Sequence, residues 1–362
     1  VSESFEEISL ADRLLLAEKI RGWKALVADE VAERLLQQPA DWRERHGHRA
    51  LSHGRDDAAV HLEYLVGAVV SGSVAAFEDY SRWTTRVLAT YNVEQEFLEK
   101  SLRQLEACLL NRIEPKERGL ISRLIEVGCL ASAAPEEKTP QQTRDRHPLS
   151  DVQAVFLQAL LAGARQEAVK IAVGALEDGH SIANIHLEVL QESQYAVGRL
   201  WESHQITVAQ EHMASAITQY TLASLYPHIE LATVVRGKAL VTGVEGEMHQ
   251  LGANMVADAL ESVGWDVKFL GTNLPQSGIV DMVREFQPAL IGIAATMIFN
   301  VDKVASLVAA VQAIPDLPPP VIVLGGAAFR HAPNLYAEIG AHGQPADLKS
   351  LLALVDSLLP AP

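Results

Sequence analysis

The 362-residue chain reads as an α + α/β protein: an all-helical N-terminal domain, a four-helix bundle, and a C-terminal doubly wound parallel sheet. Three observations lead there. From Lys238 onward, short apolar runs alternate with stretches whose apolar residues recur every three or four positions, the pattern of buried parallel strands joined by helices. Residues 149–229 carry only the helical pattern, in four pieces with short connections, which describes an antiparallel bundle. Residues 1–133 are helical again. They are set off by 134–148, within the Pro-rich, charged stretch "ASAAPEEKTPQQTRDRHP", which reads as a linker.

In the N-terminal domain, residues 61–110 share a layout with 156–201: a helix ending "VVSG" against "ALLAG", a second helix, and a third opening near "NVEQEFLEKSL" against "IANIHLEVLQES". That pattern describes a diverged copy of one helical unit, although any two amphipathic three-helix segments look alike at this level. The domain holds three of the five Trp, with Tyr64, Phe77, Tyr80, Tyr91 and Phe97 at core spacing. "RERHGHR" (43–49) reads as a solvated loop. The set His46, His48, His53 and His61 reads as part of a polar stretch, with metal chelation as the alternative.

In the bundle, Thr207 with Gln210 is a helix start whose side chains satisfy orphan N–H groups. In the last part, 238–244, 265–271, 289–295 and 320–326 read as strands and 253–264, 277–287 and 301–314 as helices. A weakly marked fifth strand is expected near 340–346 and a closing helix at 347–359, giving an α/β domain over 236–360.

Composition bounds the function. No apolar run approaches the ~20 residues of a membrane helix, and the acidic N-terminus lacks the basic flank of a signal peptide. Two cysteines, Cys108 and Cys129, form no disulfide framework, which suits a cytoplasmic protein. A formal charge of −16 argues against nonspecific grip on a phosphate backbone. The first residue is Val1 rather than Met, so a preceding piece is to be expected.

The residues that bear on chemistry gather at strand ends. "GVEGEMHQLG" (243–252) follows the first strand, "ATMIFN" (295–300) the third, and "GGAAF" (325–329) the fourth. In a flavodoxin-like strand order the first two flank the crevice at the switch point, where ligands bind. One histidine cannot hold zinc, which takes three or four protein ligands. It suits a metal that already carries most of its ligands, as in a tetrapyrrole. Glu247 would then accept the other ring N–H of His249 and fix its tautomer.

Glu247-x-His249-x-x-Gly252, Ala294-x-Thr296 and Gly325-Gly326 resemble the cobalamin-binding fold, whose pattern is D-x-H-x-x-G, S-x-T/L and G-G. The match covers about the last third of the chain. The resemblance implies that His249 is the lower axial ligand of cobalt, with Met248 beside it, and that the displaced dimethylbenzimidazole tail threads toward the glycines. Two positions depart: Glu247 stands for Asp, and Ala294 for Ser, which removes one hydroxyl contact to the tail.

A second resemblance lies in the bundle. Trp201, nine residues, then Glu211-His212 match the W-x9-E-H of cobalamin-dependent photoreceptors of the light-responsive carotenoid-repressor type, and Val208 falls on that group's Val position. It implies that Trp201, Val208, Glu211 and His212 cap the upper face of adenosylcobalamin. The residue after the Trp, a histidine in the well-known members, is here Glu202, so His204 is the candidate upper ligand after light.

Residues 1–148 show no helix-turn-helix opening, so direct DNA binding is not expected, and output goes through an effector protein or a change in a homo-oligomer. The arrangement is similar to photocobilins, which pair cobalamin with a bilin. A bilin such as biliverdin is therefore a candidate second chromophore, with Cys108 and Cys129 as candidate attachment points. The expected function is a non-enzymatic light sensor. The alternatives are a corrinoid carrier subunit of a methyltransferase system and a passive cobalamin-binding module.

Overall fold

The computed structural model describes residues 8–133, 148–232, 236–315 and 317–360. The expected linker at 134–148 falls, but for its last residue, outside the described residues. No helix of the described residues is long and apolar enough to cross a membrane.

Six helices form the N-terminal part: α1 (Leu10–Gly22), α2 (Lys24–Leu36), α3 (Ala40–Ser71), α4 (Val74–Thr90), α5 (Gln95–Leu110) and α6 (Pro115–Ala133). The long α3 corrects one expectation. Residues 43–49 are not a loop but lie inside this helix, and the four histidines are spread along it. Gly54 faces α2, where a Cβ would make ordinary contact with Ala32 at 3.7 Å. The helix stops at Gly72, which takes the left-handed conformation, and Ser73 then caps α4 by accepting from the Ala76 amide.

The bundle comprises α7 (Ser150–Leu161), α8 (Arg165–Glu177), a third helix and α11 (Val208–Leu225). The third begins as α9 (Ile182–Asn184), passes through a π-helical stretch at Ile185–Gln191 and continues as α10 (Glu192–Glu202). Thr207 and Gln210 close the expected capping box at the start of α11. α3 to α6 follow one another as the bundle helices do, with Gly163 left-handed after α7 as Gly72 is after α3. A diverged repeat remains a proposal on that shared helix order.

The C-terminal part is a four-stranded parallel sheet in the order β2-β1-β3-β4, with β1 (Gly237–Gly243), β2 (Trp265–Phe269), β3 (Leu290–Ala294) and β4 (Val321–Gly325). The helices are α12 (Leu251–Ser262), α13 (Gln276–Phe286), α14 (Val301–Gln312), α15 (Leu335–Ile339) and α16 (Leu348–Leu358). The expected fifth strand is reduced, among the described residues, to a single bridge between Val323 and Gly343. Pro345 and the Asp347 cap of α16 follow too closely for more.

Alternation along the strands divides the core. Ala239, Val241 and Val323 face α12 and α16, whereas Leu240, Ile291, Ile293, Ile322 and Leu324 face α13 and α14. The second layer is continuous with the N-terminal helices, which dock on α14 and the loops after β3 and β4. A Cβ on Gly67 of α3 would lie 2.8 Å from Ile298, so only glycine allows this approach. Ser73 donates to the His331 carbonyl at 2.8 Å, and Arg21 donates to the Phe299 carbonyl at 2.6 Å and pairs with Asp302.

The bundle docks on α12, where Met255 joins its core. Between α11, α12 and β2 lies a cavity of about 320 Å³ lined by Leu222, Tyr226, Asp258, Glu261, Val267 and Phe269, none of them in the His249 loop. Burial, helped by the nearby Glu261, pushes the Asp258 carboxyl up to about 7. The folded chain holds this proton more tightly than the unfolded chain. The contribution to stability is therefore complete below the ordinary value of 3.8 and is lost as the pH rises to about 7. Asp258→Asn is expected to recover roughly 2–4 kcal/mol at pH 8. Thermal melts at acidic and alkaline pH check this: the wild type should lose more stability with rising pH than the variant.

Candidate cofactor site

The strand register sets the site's floor. Gly243, Ala294 and Gly325 are paired side by side at the carboxyl ends of β1, β3 and β4. The chain leaves β1 through a turn in which Gly246 has a φ of +80° and its amide donates to Asn273 Oδ1 at 2.8 Å. This turn drives Glu247 inward until its side chain is fully buried.

The Glu247 carboxylate collects five donors. Oε1 accepts from the His249 amide at 3.0 Å and from His249 Nδ1 at 2.6 Å. Oε2 accepts from the Thr296 amide at 2.8 Å, the Met297 amide at 3.2 Å and Asn300 Nδ2 at 3.1 Å. Burial alone would raise this carboxyl, but the His249 N–H groups and the two loop amides outweigh it and hold it at about 2. Glu247 is therefore an anion that fastens the loop after β1 to the loop after β3.

His249 is the outward half of this arrangement. With Nδ1 donating to Glu247, its neutral ring carries the lone pair on Nε2, and its side chain is 55 % exposed. The bond to Glu247 raises the imidazole pKa against the opposing effect of burial, and Glu211 of the bundle adds to the rise. Met248 beside His249 is exposed.

Two glycines border open space. A Cβ on Gly252, or on Gly325, would meet nothing within 4 Å. Gly326 is different: its φ is +105°, and a Cβ there would lie 2.2 Å from the Ala295 carbonyl oxygen. The second glycine thus serves the turn, and the first leaves space at the strand ends.

On the bundle side, Glu211 accepts from Ser215 Oγ at 3.0 Å and pairs with His212 Nδ1. Val208 is exposed and Trp201 half-buried. The Trp201–His204 segment is held from the N-terminal part. Trp83 Nε1 donates to Glu202 at 3.1 Å, the Trp83 and Trp201 rings lie 6.4 Å apart, and the His204 ring packs edge-on against Tyr91 at 4.3 Å. His204 has a φ of +55°. Cys108 and Cys129 are both buried and free, and burial pushes their thiols up, Cys129 to about 11.

The structure thus joins Glu247, His249 and Thr296 by hydrogen bonds, sets Ala294 beside Gly325, and keeps both cysteines in the N-terminal core. Sequence reasoning missed Asn300, which donates to Glu247, and Lys303, which donates to the Glu245 carbonyl at 2.8 Å. Neither carries a distinctive local signal, since an Asn at a helix start and a Lys on a helix each have a sufficient local explanation.

A buried carboxylate orienting an imidazole whose second nitrogen faces an open, glycine-lined strand edge fits a corrinoid whose cobalt needs one protein ligand. Comparison with known families agrees. A B12 binding domain family matches residues 237–347, and a second B12 binding domain family matches residues 152–226. The chain carries a cobalamin-binding module.

This module is related to a corrinoid protein of Desulfitobacterium hafniense, at 23 % identity over 42 % of this chain and 72 % of that protein. It is also related to the HTH-type transcriptional repressor CarH of Myxococcus xanthus, at 28 % identity over 43 % of this chain and 51 % of the repressor. The chain therefore spans about half of that repressor. The monomethylamine corrinoid protein of Methanosarcina barkeri shares the fold, with a TM-score of 0.50 at 20 % identity, covering 57 % of this chain and 98 % of that one. Both family matches lie C-terminal to residue 151.

Proposed function

We propose that the chain is a light sensor that holds adenosylcobalamin between the bundle and the α/β domain, with His249 below and Trp201, Val208, Glu211 and His212 above. The observation that carries this reading is the grip of the N-terminal helices on the capping segment, through Trp83 on Glu202 and Tyr91 on His204. A cap tied to a second domain can report its own position.

When bound, adenosylcobalamin supplies a cobalt–carbon bond that light can break. His249 offers Nε2 from below, and Glu247 keeps it in the coordinating tautomer. Trp201 offers a flat apolar wall, while Glu211 and His212 offer hydrogen bonds to a ribose and base. Without an upper group to pack on, Trp201 and Val208 would lack a covering surface. The 201–204 segment then settles differently, and Trp83 and Tyr91 pass that shift to α4 and to the following turn. The protein is thus an element with two arrangements biased by occupancy. In this reading it is not an enzyme, and its output is an effector protein or a changed homo-oligomer. His204 would be free to offer its imidazole to the group only after leaving Tyr91. A bilin, if part of this system, binds without a thioether, because both thiols are buried and protonated.

The second reading is a corrinoid carrier, favoured by the corrinoid-protein relatives. It needs an upper face open to partner enzymes, which the gripped cap disfavours. The deciding measurement is an absorption spectrum of the adenosylcobalamin-loaded protein in darkness and after green illumination, repeated with biliverdin, together with elution volume. Irreversible conversion with a changed elution volume is the expected result. A spectrum and elution volume indifferent to light overturn the sensor and move the carrier to the front. A new red band with biliverdin adds the second chromophore, and its absence removes it.

A further inference from the structure

We propose that His46, Glu94 and Glu96 form a binding site for a divalent transition-metal ion of the zinc class, in the N-terminal helices and apart from the cobalamin module. His46 lies in the second turn of α3. Glu94 is the N-cap residue of α5 and Glu96 lies in its first turn. One donor atom from each lies within 4.8 Å of the other two. His46 Nε2 is 3.8 Å from Glu94 Oε2 and 3.7 Å from Glu96 Oε2. Donors around tetrahedral zinc sit about 3.4 Å apart, so a few tenths of an ångström of closure by two exposed carboxylates completes the geometry.

The imidazole is what marks the cluster as a site. His46 is only 4 % exposed, yet its Nε2 has no hydrogen-bond partner. A buried nitrogen left in that state keeps the full desolvation penalty of an unmade hydrogen bond. The ring is held in place, 5.0 Å from Trp42 and 6.1 Å from Phe97. The positive end of the α5 dipole accounts for acidic residues in its first turn, but not for an unpartnered imidazole nitrogen directed at them. Arg45 Nη1 now sits on the same two oxygens, at 2.9 and 2.7 Å. It is 43 % exposed and can swing into water. It therefore marks where a cation is held and competes with the ion. Imidazole with two carboxylates suits zinc-like ions better than calcium or magnesium, which favour all-oxygen sets.

Calorimetric titration of the untagged, cobalamin-loaded full chain with Zn²⁺ tests this, so that the outward nitrogen of His249 is not left free to take the ion. One saturable ion per chain is expected. Glu94→Gln with Glu96→Gln should weaken binding by about tenfold or more, while both substitutions are exposed and leave the fold intact by circular dichroism. Arg45→Ala should tighten binding by removing the competing cation. No saturable binding in the wild type, unchanged affinity in the double glutamine variant, or weaker binding in Arg45→Ala would each overturn the site.

Discussion

His249→Ala is expected to abolish the spectrum of cobalamin carrying a protein imidazole as lower ligand and to weaken binding by at least about tenfold. The substitution removes only an outward-facing, half-exposed imidazole. Glu247 keeps its bonds from Thr296, Met297 and Asn300, so the loop stays fastened and the fold survives. A spectrophotometric titration reads both quantities. Added imidazole should partly restore the spectrum, because the missing group is a free ligand nitrogen and not a structural prop. Glu247→Gln tests the other half. An amide in that pocket would set its own NH₂ against N–H donors, freeing the ring and weakening cofactor binding by about 10–100-fold. A His249→Ala protein with unchanged spectrum and affinity would remove His249 from the cobalt.

Gly326→Ala is expected to destabilise the α/β part by roughly 3–5 kcal/mol. The backbone there has a φ of +105°, and the new methyl would fall 2.2 Å from the Ala295 carbonyl oxygen, an approach no side chain tolerates. Since the Ala295 amide also donates to the Gly325 carbonyl at 2.9 Å, relieving the clash would pull β3 from β4 at the site's floor. Thermal melting should fall on the order of 10 °C. Gly325→Ala is the contrasting case: its methyl enters open space, so stability should hold while cofactor affinity drops. Equal melting temperatures for Gly326→Ala and wild type would refute the steric argument, and unchanged affinity in Gly325→Ala would show that the open space is not used.

Much of the cofactor floor was legible because its signals are local. Glu247, His249 and Gly252 lie within six residues, and the parallel sheet brings the three loops together by a rule of topology, not by particular side chains. Thr207 with Gln210 closed its capping box for the same reason, since both partners sit in one turn. Asn300 was not legible. Its role depends on reaching Glu247 across 53 positions of sequence, and an Asn at a helix start has a sufficient local explanation. The reading of 43–49 as a loop failed on the same ground. Charge and glycine favour a loop locally, but packing of α3 against its neighbours outweighs local preference.

The sequence by itself determined the alternation of four strands with helices from Lys238 onward, the doubly wound sheet and the residues at its strand ends, because hydrophobic period and turn chemistry act over a few residues. Only the tertiary structure decided where the N-terminal helices sit. They dock on α14 and the loops after β3 and β4, with Gly67 against Ile298, and reach over to hold Glu202 and His204. That choice depends on the fit of surfaces far apart in the chain, and the physical reason is that burial is non-directional. An apolar face specifies that it will be covered, and only shape decides by what.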